Sequence, residues 1–287
     1  MADRWRVPTG SGEDVPVLTA SELRDDASAR GDCWVEVEFV TVSGDRRRLP
    51  WQSFPQVAAQ IGGPVRSFSS YRGQKNFPGW YWSATLGRRI GFESWVERDH
   101  LVALDFDPTV SDVVSQPFTL LWDAGTRRRR RHTPDFLVRL DHGRTLVLDS
   151  RPSERIKDRD REAFAATARA CGDVGWEYAV WDRLDPVLAA NHRWLGGYRH
   201  PRCFDEPTAR DLLQVFACPQ PLLDGAEAAG DPLGTLPVLY HLMWRRWLLA
   251  DLALVLSHRT VVRVSPHVAD VADLASARSV PLSEQGW

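Results

Sequence analysis

Apolar and polar residues alternate most clearly in three places along the chain. "WVEVEFVTV", residues 34 to 42, has the period of a strand and runs into a Ser-Gly-Asp turn. Residues 136 to 140 (FLVRL) and 144 to 148 (RTLVL) are rich in strand formers, and Asp141-His142-Gly143 between them has turn chemistry. This pair predicts a β-hairpin. If the loop is three residues long, Leu140 pairs with Arg144, Val138 with Leu146 and Phe136 with Leu148, which sets Asp135 directly opposite Asp149. A two-residue loop would shift that register.

Helical spacing appears in "GFESWVERDHLVALDFDP", where Phe92, Trp95, Val96 and Val102 can share a core stripe and Pro108 fits the end of the element. A second, Ala-rich helix is expected in "SERIKDRDREAFAATARACGD", closed by Gly172 and followed by "WEYAVW" as a strand. Hairpin, helix and strand in that order predict a mixed sheet covered by helices. "IGGPVRSFSSYRGQKNFPGWYWSATLG" reads as an extended functional loop and residues 1 to 31 as a loose leader. Beyond about residue 200 the pattern changes. Thr208 to Phe216 and Pro237 to Leu249 read as short helices joined by a Pro/Gly-rich link, with "TVVRV" as a strand, a pattern compatible with a small helical, winged-helix-like module.

Composition narrows this picture little. The 287 residues suit one large or two modest domains, and a net charge of −2 announces neither nucleic acid nor membrane globally. Any anion-binding surface must be local, and the strongest local signal is the run Arg127, Arg128, Arg129, Arg130 and Arg131, followed by His132. Such a run is also what a solvated loop looks like. Lys75 and Lys157 are the only lysines, so arginine stands in many places where lysine serves elsewhere. Four scattered cysteines lack zinc-ligand spacing and are expected to be reduced. No signal-peptide pattern opens the chain, and the apolar stretch from Leu236 to Leu256 is interrupted by His241, Arg245, Arg246 and Asp251. A cytoplasmic protein is expected.

The candidate chemistry lies at the hairpin's end. Two opposed carboxylates repel, and a divalent cation is one partner that relieves them, with hard oxygen ligands suiting Mg²⁺ or Mn²⁺. Strand period places Arg151 on the face of Asp149. The simpler reading is an exposed hairpin end whose acids are neutralised by neighbouring arginines. Glu93 and Glu97, four apart on the expected helix, read by themselves as solvated glutamates.

The ordered set Glu97, Pro134-Asp135 and Asp149-Ser150-Arg151 resembles the PD-(D/E)XK nuclease arrangement. More specifically, "ESWVERDHLVALDFDPTVSDVVSQPFTLLW", "RHTPDFLVRL" and "LVLDSRPSERI" are similar to the N-terminal endonuclease domain of TnsA, which cuts one strand at each transposon end in heteromeric transposases. The similarity covers roughly residues 80 to 185. It implies a restriction-endonuclease-like α/β fold, with residues 80–199 as nuclease core, 1–79 as an N-terminal leader, strand and loop region, and 200–287 as the C-terminal module. Implied too are Mg²⁺- or Mn²⁺-dependent phosphodiester hydrolysis and Glu97, Asp135 and Asp149 as catalytic metal ligands. Arg151 stands at the family's lysine position, a departure for which Lys157 is a candidate spatial substitute. Arg127 to Arg131 and Lys75 are candidate DNA contacts. Implied partners are double-stranded DNA, a DDE-type transposase subunit and an AAA+ ATPase regulator, with the protein nucleoid-associated when on DNA and no membrane involved. The competing readings are a catalytically inactive DNA-binding or bridging subunit and a stand-alone defence or repair nuclease.

Overall fold

A computed structural model describes residues 17–19, 35–68, 73, 77–123 and 129–266. In chain order its strands are β1 (Val17–Thr19), β2 (Val35–Thr41), β3 (Arg46–Pro50), β4 (Ile61–Gly63), β5 (Gly79–Ser83) and β6 (Arg88–Phe92). Helix α1 (Trp95–Phe106) precedes β7 (Val110–Ser115), β8 (Thr119–Asp123), β9 (Arg129–His132), β10 (Phe136–Leu140) and β11 (Thr145–Ser150). Then come α2 (Asp158–Asp173), β12 (Glu177–Trp181) and α3 (Pro186–Gly196). The chain continues through α4 (Glu206–Val215), β13 (Gln220–Pro221), α5 (Leu222–Ala229), α6 (Pro232–Trp244), β14 (Leu248–Leu249) and β15 (Val261–Val264).

A five-stranded mixed sheet, ordered β1-β12-β11-β10-β7, forms the centre. Its β11–β12 pair is parallel and the others are antiparallel. The β10–β11 hairpin has the register its alternation predicts, Phe136 opposite Leu148 and Val138 opposite Leu146. His142 and Gly143 turn the chain at φ +63° and +77°, the left-handed region that a tight loop needs. Period-two alternation divides the hairpin's apolar residues between two cores. Phe136, Val138, Leu146 and Leu148 pack with α1 residues Leu101 and Leu104, whereas Leu137 and Val147 pack with Phe164 and Ala168 of α2. This sandwich of one sheet between two helices is consistent with a nuclease fold.

A second sheet, β3-β2-β8-β9 with β4 beside β2, joins the N-terminal region to the centre. The chain leaves the central sheet after β7, passes through β8 and β9, and returns to begin β10. The neck of this excursion is closed where Gln116 N–H donates to the Asp135 carbonyl at 2.8 Å, with Gln116 held at φ +44°. Trp51, Phe54 and Phe118 fill the core beneath the second sheet.

Several elements differ from expectation. The loop expected before α1 contains β5, paired with β6 as a hairpin, and Tyr81 and Ser83 on β5 are buried against α1. Asp105 explains their docking: Tyr81 OH, Ser83 Oγ and the backbone N–H groups of Ala84 and Thr85 all donate to its carboxylate at 2.6 to 2.9 Å. The α1 core stripe differs in part: Phe92 and Val102 are buried as expected. Trp95 is 49 % exposed, while Glu97, His100, Leu101, Leu104 and Asp105 are buried. Helix α2 runs one residue past Gly172, and Gly175 takes the left-handed turn at φ +73°. The Pro/Gly-rich link in the C-terminal region contains α5.

The segment from α4 to β15 runs helix, strand, two helices, two strands, and its three strands order as β13-β15-β14. It shares a core with the nuclease helices: Phe106 of α1 meets Trp244 of α6 at 5.3 Å between ring centroids. Among the described residues no helix is long and apolar enough to cross a membrane.

Candidate functional site

Asp135 immediately precedes β10, and extending the β10–β11 register by one step sets it opposite Asp149. The Ser150 N–H donates to Asp135 Oδ2 at 2.7 Å, fixing one carboxyl oxygen at the end of the hairpin. Asp149 alternates in step with Val147, toward the α2 side, and is 3 % exposed. Two groups hold its Oδ2: Tyr178 OH donates at 2.6 Å and His132 Nε2 lies at 2.8 Å. Burial and the adjacent Asp149 push the Tyr178 phenol well above its ordinary value, so it stays a donor.

Glu97 comes from the first turn of α1. Ser94 caps the helix by accepting from Glu97 N–H at 3.2 Å, and its hydroxyl donates to Glu97 Oε1 at 2.8 Å. The Glu93 N–H holds Oε2 at 2.7 Å. Helix α1 lies across the sheet from the Asp149 side chain, but its first turn reaches the sheet's end. A buried strut keeps it there: His100 Nδ1 meets Ser150 Oγ at 2.7 Å and its Nε2 meets the Asp182 carbonyl at 2.8 Å.

Asp135 feels the other two carboxylates. Burial pushes Asp135 well above the usual carboxylate range, with the Glu97 and then the Asp149 charge adding to it. Glu97 is raised as well, by burial and by Glu93. Crowded acids of this kind favour either a shared proton or a cation. The donors are hard oxygens, which suits Mg²⁺ or Mn²⁺. Among the described residues no group of three His, Cys, Asp or Glu side chains is already arranged as a metal cage. The residue types and the charge suit a divalent ion, but the described side chains are not gathered to hold one, and carboxylate oxygens are engaged by N–H and O–H donors.

Arg151 is engaged outside this trio. Its guanidinium donates to Asp160 Oδ2 at 3.0 Å, in the first turn of α2. Lys157 is exposed just before that helix, and its backbone N–H also binds Asp160 Oδ2, at 3.1 Å. Of the arginine run, Arg129 pairs with Glu36 and Arg130 with Glu162, at 3.3 and 3.4 Å, while Arg131 lines a surface cleft. Arg127, Arg128 and Lys75 lie outside the described residues.

Sequence reasoning gave no role to Tyr178, His132, His100 or Ser150. Tyr178 sits in an ordinary apolar strand, and only the parallel β11–β12 pairing brings it to Asp149. His132 had one available signal, its place three residues before Asp135, at the end of the strand that precedes the central sheet's β10.

No curated protein matches the chain. One family model does, described as TnsA-like endonuclease N terminal, over residues 107–182. That span contains Asp135, Asp149, Arg151, Lys157 and Tyr178 and begins just after α1. Residues 107–182, built around the hairpin beside which Asp135 and Asp149 stand, are thus similar to the TnsA-like endonuclease N-terminal domain.

Proposed function

We propose that the chain is a divalent-metal-dependent DNA endonuclease, the TnsA-like subunit of a heteromeric transposase that hydrolyses a phosphodiester at transposon ends. What supports this reading is the burial of Asp135 at the end of the hairpin, opposite Asp149, with the charges of Glu97 and Asp149 acting on it. Glu97, Asp135 and Asp149 would hold Mg²⁺ or Mn²⁺, which when bound supplies Lewis-acid polarisation of the phosphate and a more acidic water. Ser150 N–H and Tyr178 OH each hold one oxygen of Asp135 and Asp149, and the other oxygens would serve the metal. Arg151, beside Asp149 in sequence, stabilises charge developing on the phosphoryl oxygens and is a poor proton acceptor, so it does not act as the base. Lys157 would have to swing away from the α2 N-terminus to replace it.

The expected partners are double-stranded DNA, a DDE-type transposase subunit and an AAA+ regulator, in the cytoplasm. Residues 80–199 serve as the nuclease core, joined to region 1–79 through the β2–β8 pairing. Residues 200–287 serve as a winged-helix-like module that binds a partner or DNA, a reading supported by the strand and helix order from α4 to β15. A supercoiled plasmid carrying transposon ends tests the whole reading. Nicking is expected with Mg²⁺ or Mn²⁺ and the partner subunits, and not with Asp135→Asn. Failure of the wild type to cut under every such condition would leave the inactive bridging subunit, a reading favoured by the engagement of Arg151 with Asp160.

A further inference from the structure

The second sheet has one face over its own core and the other in solvent, and the solvent face is lined with arginine at both edges. Arg46 and Arg48 on β3 flank one side, and Arg129 and Arg131 on β9 flank the other, with Glu36 and Glu38 of β2 between them. A cleft of about 400 Å³ opens here, lined by four arginines (Arg46, Arg48, Arg66, Arg131) against one glutamate, with hydroxyls from Ser67, Thr119 and Thr133. In a chain of net charge −2 this is a concentrated positive site.

The cleft leads to the carboxylates by two routes. Arg66 pairs with Glu93 at 2.8 Å, and the Glu93 N–H holds Glu97. On the other side Thr133, bonded to Thr119 Oγ1 at 2.7 Å, stands two residues before Asp135. The arginines are held without being consumed. Arg48 reaches Glu36 at 3.3 Å with its side chain 43 % exposed, a pair of the kind worth almost nothing in water and readily exchanged for a phosphate. Arg131 has no carboxylate partner in an ion pair among the described residues. Three inter-strand spacings separate β3 from β9, about 14 Å, close to the roughly 12 Å width of a DNA major groove. Guanidinium rows at that separation, with hydroxyls between, match phosphates on the two sides of a groove.

We propose that this arginine-lined cleft on the second sheet carries the sugar–phosphate backbone of duplex DNA into the carboxylate site. The proposal rests on the reading that the chain acts on DNA, and it assigns the backbone contacts to a surface largely outside the matched span of residues 107–182. The test is binding of a fluorescent DNA duplex to the full chain carrying Asp135→Asn, so that cutting cannot intervene. Arg48→Gln with Arg131→Gln should weaken binding about tenfold or more and lower the slope of log affinity against log salt by about 2, since each phosphate contact contributes about 0.9. Arg139→Gln with Arg144→Gln, which removes equal charge toward the far end of the hairpin, should change little. Unchanged affinity and slope in the cleft variant, or equal losses in both variants, would overturn the proposal. So would a labelled nucleoside triphosphate whose binding the cleft variant abolishes while DNA affinity stands. Binding that depends on Arg48 and Arg131 in a wild type that never nicks would defeat the cleavage reading alone. Normal nicking by the cleft variant in the wild-type background, with unchanged DNA affinity, would defeat the track alone.

Discussion

Replacing Asp135 by asparagine removes one of three crowded negative charges while keeping an oxygen for the Ser150 N–H. Two carboxylates about 6 Å apart repel by about 3 kcal/mol at an effective dielectric constant near 20. The wild type sheds part of that by holding a proton, and the neutral amide accepts a weaker hydrogen bond, a loss of about 1 kcal/mol. The variant should therefore be more stable by about 1 to 2 kcal/mol near neutral pH without metal. The sign in pH follows from linkage. Asp135 has a folded-state value raised above its ordinary 3.8, so wild-type stability falls as pH rises through the raised value, and the advantage of the variant shrinks as pH is lowered. Divalent metal should reverse the order, because an ion at 100 times its dissociation constant stabilises the wild type by about 2.7 kcal/mol. Urea unfolding at neutral and acid pH, with and without Mg²⁺, reads all of this. An asparagine variant less stable than wild type at neutral pH without metal would refute the crowding argument and mark Asp135 as a structural acceptor.

Arg151→Lys should keep or raise nicking and Arg151→Ala should reduce it by about two to three decades; equal rates for all three forms, measured with partner subunits present, would remove Arg151 from the chemistry. Asp105→Ala strands four donors from the β5–β6 hairpin, of which Tyr81 and Ser83 are buried. It should cost about 3 kcal/mol or more in denaturant unfolding, and a loss below about 1 kcal/mol would contradict the anchoring role. Burial lowers His100 from 6.5 to about 4, so its contribution is complete above about pH 6.5 and is lost as pH falls toward 4. That is about 3 kcal/mol, and His100→Phe should flatten the acid limb of the stability curve over that interval.

The hairpin was legible because its two signals agree: strict alternation on both sides and a turn whose His142-Gly143 accepts positive φ. Glu97 was legible only through its order with the other acids. Its helix was expected to bury Phe92, Trp95, Val96 and Val102; Phe92 and Val102 are buried, but Trp95 is exposed and the buried face also holds Glu97, His100 and Asp105. Hydrophobic periodicity misreads a helix that turns polar residues inward for hydrogen bonds to Ser94, Ser150 and the β5–β6 hairpin. The second sheet escaped detection because its partners are far apart in sequence: β2 pairs with β8 across some eighty residues, and β3 and β9 are arginine-rich strands with no apolar alternation of their own. Tyr178 and His132 were invisible for the same reason, since their role is set by what faces them across strands.

The excursion through β8 and β9 begins at Gln116 and ends at Asp135, and its two ends are clipped together by the Gln116 N–H bond to the Asp135 carbonyl. Mechanically this is a flap with a stapled base. Changes made at its tip, where the residues joining β8 to β9 carry the start of the arginine run, need not propagate to the aspartate at its root. New basic or aromatic sequence can be grafted there, or residues inserted, without retuning the acid pair. The staple itself is intolerant, because a proline at position 116 would delete the N–H that makes it and its ring would forbid the φ of +44° found there.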